Sequence, residues 1–562
     1  MPVLTGAEAV VRMLQLNGVR HIFGLCGDTS LPFYDALARL DHGIEHVLTR
    51  DERSAAYMAD AYARLTGRPG ICEGPSGGGA TYMLPGVVEA NESSIPVLAI
   101  TSDIPVAGRG RYALTELDQQ ALYAPLTKWN AVADRADQIP HLFRAAFRAM
   151  TTGRPGTAHI GLPYDLQKQE VDEAMLWTQQ EHARFPALRT GPDPDAVAHA
   201  AEVILSAKAP AFIVGGGIAI SGAGAALKAI AELLETPVAM SVSGHGALPD
   251  SHPLAVGVVG TNGGTPETRE AIAGADTVIF VGCRAGSTTT EHRTVPESGA
   301  RIVHIDVDPM AVGTNYHTEA IMVGDARLCL DALLAELVRR LEGARRRTGA
   351  TEHLAALKAS KREAFERLAR SDARPIRPER VVAALQAALP RESVIVADPG
   401  TPCPYFSGHF RLKDGSRIIT NRAHGALGYA LPAAIGACYG APGAKIVAVM
   451  GDGSFGFAVG ELETVVRKRL PLTMIVFSNA SYGWIKASQK TGYGERYFSV
   501  DFNRTDHARI AEAYGVRSWT VSDPAELASV LRAAIAHDGP TLVDILAQPL
   551  ENSAVPVSQW MG

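Results

Sequence analysis

Residues 445–484 read KIVAVMGDGSFGFAVGELETVVRKRLPLTMIVFSNASYGW. The apolar run up to Met450 has the length and composition of a buried strand, and Gly451-Asp452-Gly453-Ser454 turns from it into a helix. A second apolar run, LTMIVFS, predicts a neighbouring strand that ends at Asn479. Asp452 and Asn479 are therefore expected at the carboxyl ends of adjacent strands, where open α/β sheets bind ligands. A carboxylate, an amide oxygen and a nearby backbone carbonyl are hard oxygen donors, a set that suits Mg²⁺ with diphosphate oxygens and water completing its shell. The glycines let backbone N–H groups approach those phosphates at a helix N-terminus. A plain tight turn with an N-capping Asp is the competing reading of GDG alone, and the Asn at the end of the next strand weakens it.

Working outward, the same strand–helix rhythm recurs in three stretches, so the chain is expected to hold three doubly wound α/β domains, at 1–180, 190–345 and 375–562. Strand candidates are HIFGLCG, GICEGPS, VLAITS and TAHIGLP in the first, and AFIVGGGIAI, PVAMSVSG, DTVIFVGCRAG and RIVHIDVDP in the second. The third adds ESVIVADPGT and TLVDILAQP to the two strands already quoted. The stretch VDEAMLWTQQEHARFPALRTGPDPDA loses periodicity and gains Pro and Gly, as a linker does. The Arg-rich run beginning LVRRLEGARRR reads as a solvated helical connector.

The 562 residues are too many for one core. A net charge of −6 without a long basic run recommends no nucleic-acid partner. No window approaches the roughly 20 apolar residues of a membrane span. The N-terminus reads as an amphipathic helix followed by a strand rather than a signal peptide. Cys26, Cys72, Cys283, Cys329, Cys403 and Cys438 are scattered without a CxxC pair, which fits a cytoplasmic protein better than a disulfide or zinc framework.

Residues 47–70, VLTRDERSAAYMADAYARLTGRPG, place Glu52 at the start of an amphipathic helix with Ala55, Met58, Ala59, Tyr62 and Ala63 on its apolar face. A lone Glu in a first helical turn ordinarily does no more than complement the helix dipole. Taken together, however, the two segments resemble thiamine-diphosphate (ThDP) enzymes of the acetolactate synthase, benzaldehyde lyase and 2-hydroxyacyl-CoA lyase superfamily. Residues 451–481 resemble the ThDP motif, which begins GDG and ends in Asn. The run Glu52-x-x-Ala-x-x-Met-Ala-x-x-Tyr-Ala-Arg resembles the segment carrying the catalytic glutamate.

The resemblance spans the chain in the order pyrimidine-binding, central and diphosphate-binding domain. It implies ThDP and Mg²⁺ as cofactors, with the metal held by the side chains of Asp452 and Asn479 and the main-chain oxygen of Ser481. Ala480 stands where many members have a second Asn that is not a ligand. It makes Glu52 the catalytic carboxyl that hydrogen-bonds the aminopyrimidine, so that the cofactor's own amino group serves as base. Segment 420–440, TNRAHGALGYALPAAIGACYG, resembles the family's Gly-x-Met-Gly-x-x-x-Pro-Ala-Ala run, with Leu427 at the position of the bulky residue that wedges the cofactor into its bent form. ADPGT, residues 397–401, is expected near the diphosphate with Thr401 as its side chain, alongside Gly451, Gly453 and Ser454. Because the pyrimidine domain of one subunit faces the diphosphate domain of another in the family, a homodimer is the least assembly implied and a homotetramer is common.

Several residues are nominated for the substrate pocket. They are Cys26 in GLCGD, Gly78 in a Gly-Gly-Gly-Ala-Thr turn, Glu116 in residues 112–129, and Tyr482, Trp484 and Ile485 after the metal loop. Glu495 lies in 486–498, a stretch that could close over substrate. In the central domain VGGGIAISGAG (214–224) lacks the GxGxxG spacing of a dinucleotide fingerprint. Where acetolactate synthases carry an Arg-Phe-Asp-Asp-Arg-like segment, this chain has GCRAGSTTTEHRTVPESG (282–299), which argues against FAD and leaves ADP or CoA open.

Decarboxylation and carboligation of a 2-oxo acid fits the overall pattern best. Cleavage of a 2-hydroxyketone or an acyl-CoA substrate, as by a benzaldehyde lyase, 2-hydroxyacyl-CoA lyase or oxalyl-CoA decarboxylase, is the alternative. A catalytically silent ThDP-fold scaffold would be expected to lose Glu52, Asp452 or Asn479, and all three are present.

Overall fold

A computed structural model describes residues 3–413 and 415–553. Among the described residues, three six-stranded parallel sheets flanked by helices are accompanied by one two-stranded sheet. The N-terminal sheet runs Glu45–Leu48, His21–Gly24, Gly70–Gly74, Val97–Asp103, Ala158–Pro163, Trp129–Val132. The central sheet runs Ala255–Val258, Val238–Met240, Pro210–Val214, Thr277–Val281, Arg301–Asp306, Ala320–Val323. The C-terminal sheet runs Arg417–Thr420, Ser393–Ala397, Lys445–Gly451, Leu472–Ser478, Thr541–Leu546, Arg517–Val521. The two strands flanking the GDG turn are thus neighbours. Their residues are buried almost throughout, which is why they read as continuous apolar runs rather than alternating ones.

The chain forms two compact units. One comprises 1–188 together with 421–444 and 458–472; the other holds 189–420, 445–457 and 473–562. In the first unit the helix Glu52–Thr66 is capped by Asp51, whose side chain accepts the Arg53 N–H, and it stops at Gly67 in the left-handed region at φ 65°. Helix Ala430–Gly440 packs against it. The approach is close enough that a Cβ at Gly436 would lie 2.1 Å from the Met58 carbonyl oxygen, so only glycine fits there.

Two sequence readings change in detail. Across the start of the expected linker, Glu170–Asp172 is a short strand that pairs antiparallel with Val3–Thr5. Loop composition hid it because three residues are too few to show a period. The Arg-rich connector takes in the last turn of the helix Ala326–Arg340 and forms a second helix, Ala350–Ala369, which buries only Leu354. Its charges are not all left to solvent, since Lys358 donates to the His252 carbonyl at 2.8 Å. Among the described residues no helix is long and apolar enough to cross a membrane.

Candidate active site

The GDG turn is held by its own aspartate. Asp452 is 5% exposed, and its Oδ2 accepts the N–H groups of Asn479 at 2.8 Å and Ala480 at 2.6 Å. Its Oδ1 accepts the Gly453 N–H at 2.8 Å. One carboxylate therefore ties the ends of two adjacent strands together. Burial raises its pKa against the pull of these three N–H donors, which leaves a desolvated anion that a nearby cation would relieve. The Asn479 Oδ1 accepts from the Ser481 N–H and hydroxyl, both at 3.2 Å.

Beside this turn, a Cβ at Gly451 or Gly456 would meet nothing within 4 Å, so the backbone there is open to an incoming group. Gly453 is different, for a Cβ would come within 2.8 Å of the Tyr482 ring. Tyr482 in turn meets Phe502 edge-on at 5.3 Å. Among the described residues no group of three or more His, Cys, Asp or Glu side chains gathers as a metal site. A metal at this turn would consequently take a sparse protein set of Asp452, Asn479 and backbone oxygen, completed by phosphate and water, which is the habit of Mg²⁺. The residues present fit a diphosphate–Mg²⁺ group.

Ser454 does not face an open site; its hydroxyl donates to Asp398 at 2.6 Å and both are buried. Asp398 is a strand-end carboxylate that the sequence reading quoted within ADPGT without nominating. Its position after an apolar run was the available signal. Thr401 is buried, and its hydroxyl would lie 2.8 Å from a Cβ at Gly483, so that glycine is needed for the approach. His507, buried and 3.0 Å from the Ser478 hydroxyl, was also missed, and no motif surrounds it. Trp484 packs on the sheet core, while Tyr482, Ile485 and Glu495 are exposed. Lys486 is engaged by Asp501 at 2.8 Å and Glu551 at 3.2 Å.

In the first unit Glu52 is 7% exposed. A residue serving only the helix dipole has no reason to be buried, and Asp51 already caps the helix. Two glycines make room for the carboxyl, since a Cβ at Gly74 would lie 3.3 Å from its Cγ and one at Gly79 3.2 Å from its Oε1. Burial, with smaller contributions from Asp51 and Glu73, raises the Glu52 pKa above the ordinary carboxylate value. Glu73, on the next strand, accepts from the Tyr34 hydroxyl and lies 3.1 Å from the His46 Nε2. The sequence reading missed it because a Glu inside an apolar strand carries no motif.

The Leu427 turn belongs to the same unit and is clamped by Glu89, whose carboxylate accepts the His424 N–H at 2.7 Å. Leu427 is half-buried between Gly425 and Gly428, both at positive φ. Cys26 and Gly78 are exposed. Glu116 folds back on its own loop, accepting the N–H groups of Gly110 and Ala113. The nominated residues thus divide between the units: Cys26, Glu52, Gly78, Glu116 and Leu427 lie in the first, and the others in the second.

Residues 4–122 match the N-terminal TPP binding domain of thiamine pyrophosphate enzymes, residues 197–333 their central domain, and residues 398–545 their C-terminal TPP binding domain. The chain is 35% identical to a probable acetolactate synthase large subunit of Methanocaldococcus jannaschii, over 98% of its own length and 93% of that protein's. It is 30% identical to the acetolactate synthase isozyme 2 large subunit of Escherichia coli, over 98% of its own length and 96% of that protein's.

Proposed function

This chain belongs to the thiamine pyrophosphate enzymes, and from that premise we propose that it decarboxylates a 2-oxo acid and ligates the remaining acyl unit to a second carbonyl compound. The buried carboxyl of Glu52 carries the chemical part of this reading. Thiamine diphosphate, when bound, supplies a nucleophilic carbon and an electron sink. Glu52 would hydrogen-bond the aminopyrimidine ring nitrogen and hold or release a proton at that atom. Burial raises its pKa above the ordinary carboxylate value. Asp452, Asn479 and the Ser481 carbonyl would hold Mg²⁺ with the diphosphate. Gly451, Gly453 and Thr401 would approach its oxygens, and Ser454 secures the turn through Asp398. Leu427 supports the bent cofactor, and Cys26, Gly78, Glu116, Tyr482, Trp484, Ile485 and Glu495 are the candidates for substrate contact. The working assembly is at least a homodimer, with a homotetramer the expected form, and the compartment is the cytoplasm.

The choice of a 2-oxo acid is supported by relatives named acetolactate synthase that align along nearly their whole length. The test is a calorimetric titration of metal-stripped protein with ThDP, with and without Mg²⁺, followed by turnover of pyruvate, benzoin and a 2-hydroxyacyl-CoA. Mg²⁺-dependent binding and pyruvate consumption are expected. Turnover of either other substrate in place of pyruvate would reassign the reaction, and absence of ThDP binding would remove it.

A further inference from the structure

The three residues proposed to hold Mg²⁺ stand on two arms of the second unit. Asp452 opens the helix Asp452–Ala458, while Asn479 and Ser481 follow the strand Leu472–Ser478. Asp452 ties the arms through the N–H groups of Asn479 and Ala480. A carboxylate drawn to a metal gives up part of that hold, so arms that are to keep their spacing need a second brace.

Residues 500–507 supply one. The Phe502 N–H donates to the Ala480 carbonyl at 3.0 Å and the Tyr482 N–H to the Val500 carbonyl at 2.8 Å, so that Ser481 and Asp501 pair as an antiparallel bridge. Further along, His507 opens the helix His507–Ala513 and turns back to the strand end, where its Nδ1 lies 3.0 Å from the Ser478 hydroxyl. The same ring meets Phe455 edge-on at 5.5 Å, and Phe455 belongs to the helix that Asp452 opens. One imidazole thus touches both arms.

The direction of the hydrogen bonds follows from the donors available. The Ser478 hydroxyl has one proton and gives it to Asp544, a fully buried carboxylate on the neighbouring strand Thr541–Leu546. Its oxygen is then an acceptor toward His507, so the His507 Nδ1 carries a proton. The other Asp544 oxygen accepts the His507 backbone N–H at 3.3 Å, which closes the set on the residue where it began. A closed set of buried polar groups allows the imidazole one seat.

We propose that His507 is a positioning residue for the metal site: held by Ser478 and Asp544, it keeps the Asp452 and Asn479 arms at the spacing Mg²⁺ requires. The inference rests on the reading that Asp452, Asn479 and Ser481 hold the ion. Burying a serine, a histidine and an aspartate costs more than burying an apolar trio, and the return is a fixed geometry. Mg²⁺ demands near-octahedral oxygens at about 2.1 Å, whereas Ca²⁺ accepts a looser shell at about 2.3–2.6 Å. A fault in spacing therefore weakens Mg²⁺ more than Ca²⁺, and general loss of structure weakens both alike.

The test is calorimetric titration of metal-stripped, full-length protein with ThDP over a series of Mg²⁺ and, separately, Ca²⁺ concentrations. Ser478→Ala removes the acceptor and is the milder change. His507→Phe keeps a ring against Phe455 without Nδ1, and His507→Asn returns an amide donor to its place. Far-UV circular dichroism checks that each variant is folded. The half-saturating Mg²⁺ concentration is expected to rise about tenfold or more in Ser478→Ala and His507→Phe, with a clearly smaller rise for Ca²⁺ and part of the Mg²⁺ affinity recovered in His507→Asn. An unchanged Mg²⁺ requirement, equal weakening of both ions, or no recovery in His507→Asn would overturn the proposal. ThDP binding by the wild type that needs no Mg²⁺ would instead remove the metal reading itself, and this inference with it.

Discussion

The Tyr429 hydroxyl donates to the Asp60 carboxylate at 2.5 Å, fastening the segment that carries Leu427 to the helix that begins at Glu52. Arg64 meets the same carboxylate at 2.8 Å and reaches Glu89 at 3.6 Å, and Glu89 holds the backbone of the Leu427 turn. Two residues nominated for one cofactor, Glu52 at its aminopyrimidine and Leu427 at its bend, are thereby tied to a single buried polar network.

That network makes Asp60→Ala strongly destabilising. Removing the carboxylate takes one of its two acidic neighbours from the buried Arg64 and the acceptor from the Tyr429 hydroxyl, a loss of about 3 kcal/mol. A lower urea midpoint for the first unfolding transition is the expected outcome. An unchanged midpoint would show that solvent or neighbouring groups replace the carboxylate without cost.

Glu52→Gln keeps the shape and loses the exchangeable acid. Circular dichroism and ThDP affinity should stay near wild type, while kcat falls by roughly 10²–10⁴, the usual worth of general acid–base catalysis. Wild-type turnover in this variant would remove Glu52 from the mechanism.

Asp452→Ala removes both the proposed metal ligand and the brace between two strand ends. ThDP titrated in the presence of Mg²⁺ should bind far more weakly than to wild type, and added Mg²⁺ should no longer improve affinity. Unchanged Mg²⁺-dependent affinity would refute the metal role.

His159 sets a pH dependence. It is fully buried, stacked on Tyr123 at 3.7 Å and 2.7 Å from the Thr101 hydroxyl, and burial lowers its pKa to about 3 from an ordinary 6.5. The unfolded chain takes up a proton as pH falls through 6.5 and the folded chain does not. The stabilisation is therefore complete above 6.5 and is lost toward 3, by about 1.4 kcal/mol per pH unit within that window. The melting temperature of the wild type should fall more steeply between these limits than that of His159→Gln. Parallel slopes would assign the acid sensitivity to other groups.

Much of this was legible in the chain itself. The GDG turn and the strand ending at Asn479 could be read because buried parallel strands leave continuous apolar runs and glycine marks the turn. The Glu52 helix announced itself by Ala, Met and Tyr at helical spacing. What could not be read were relationships between distant residues. The Ser454–Asp398 bond, the Glu73–Tyr34–His46 group and the seat of Tyr429 on Asp60 join side chains whose local sequences ask for nothing unusual. The connector shows the limit of reading charge as solvation. Lys358 donates to the His252 carbonyl at 2.8 Å, an attachment that composition alone does not disclose.

The first compact unit is not continuous in the chain, since it includes 421–444 and 458–472 along with 1–188. During synthesis the N-terminal sheet leaves the ribosome long before helix Ala430–Gly440, which covers the Glu52 helix. A nascent chain thus exposes the Ala-rich face around Met58 and Ala59 while the central sheet is still being made, and the unit closes only when translation is nearly complete. A fragment ending at 188 would carry that bare face permanently, and a chimera exchanging the N-terminal sheet would need its matching 421–444 segment in order to fold.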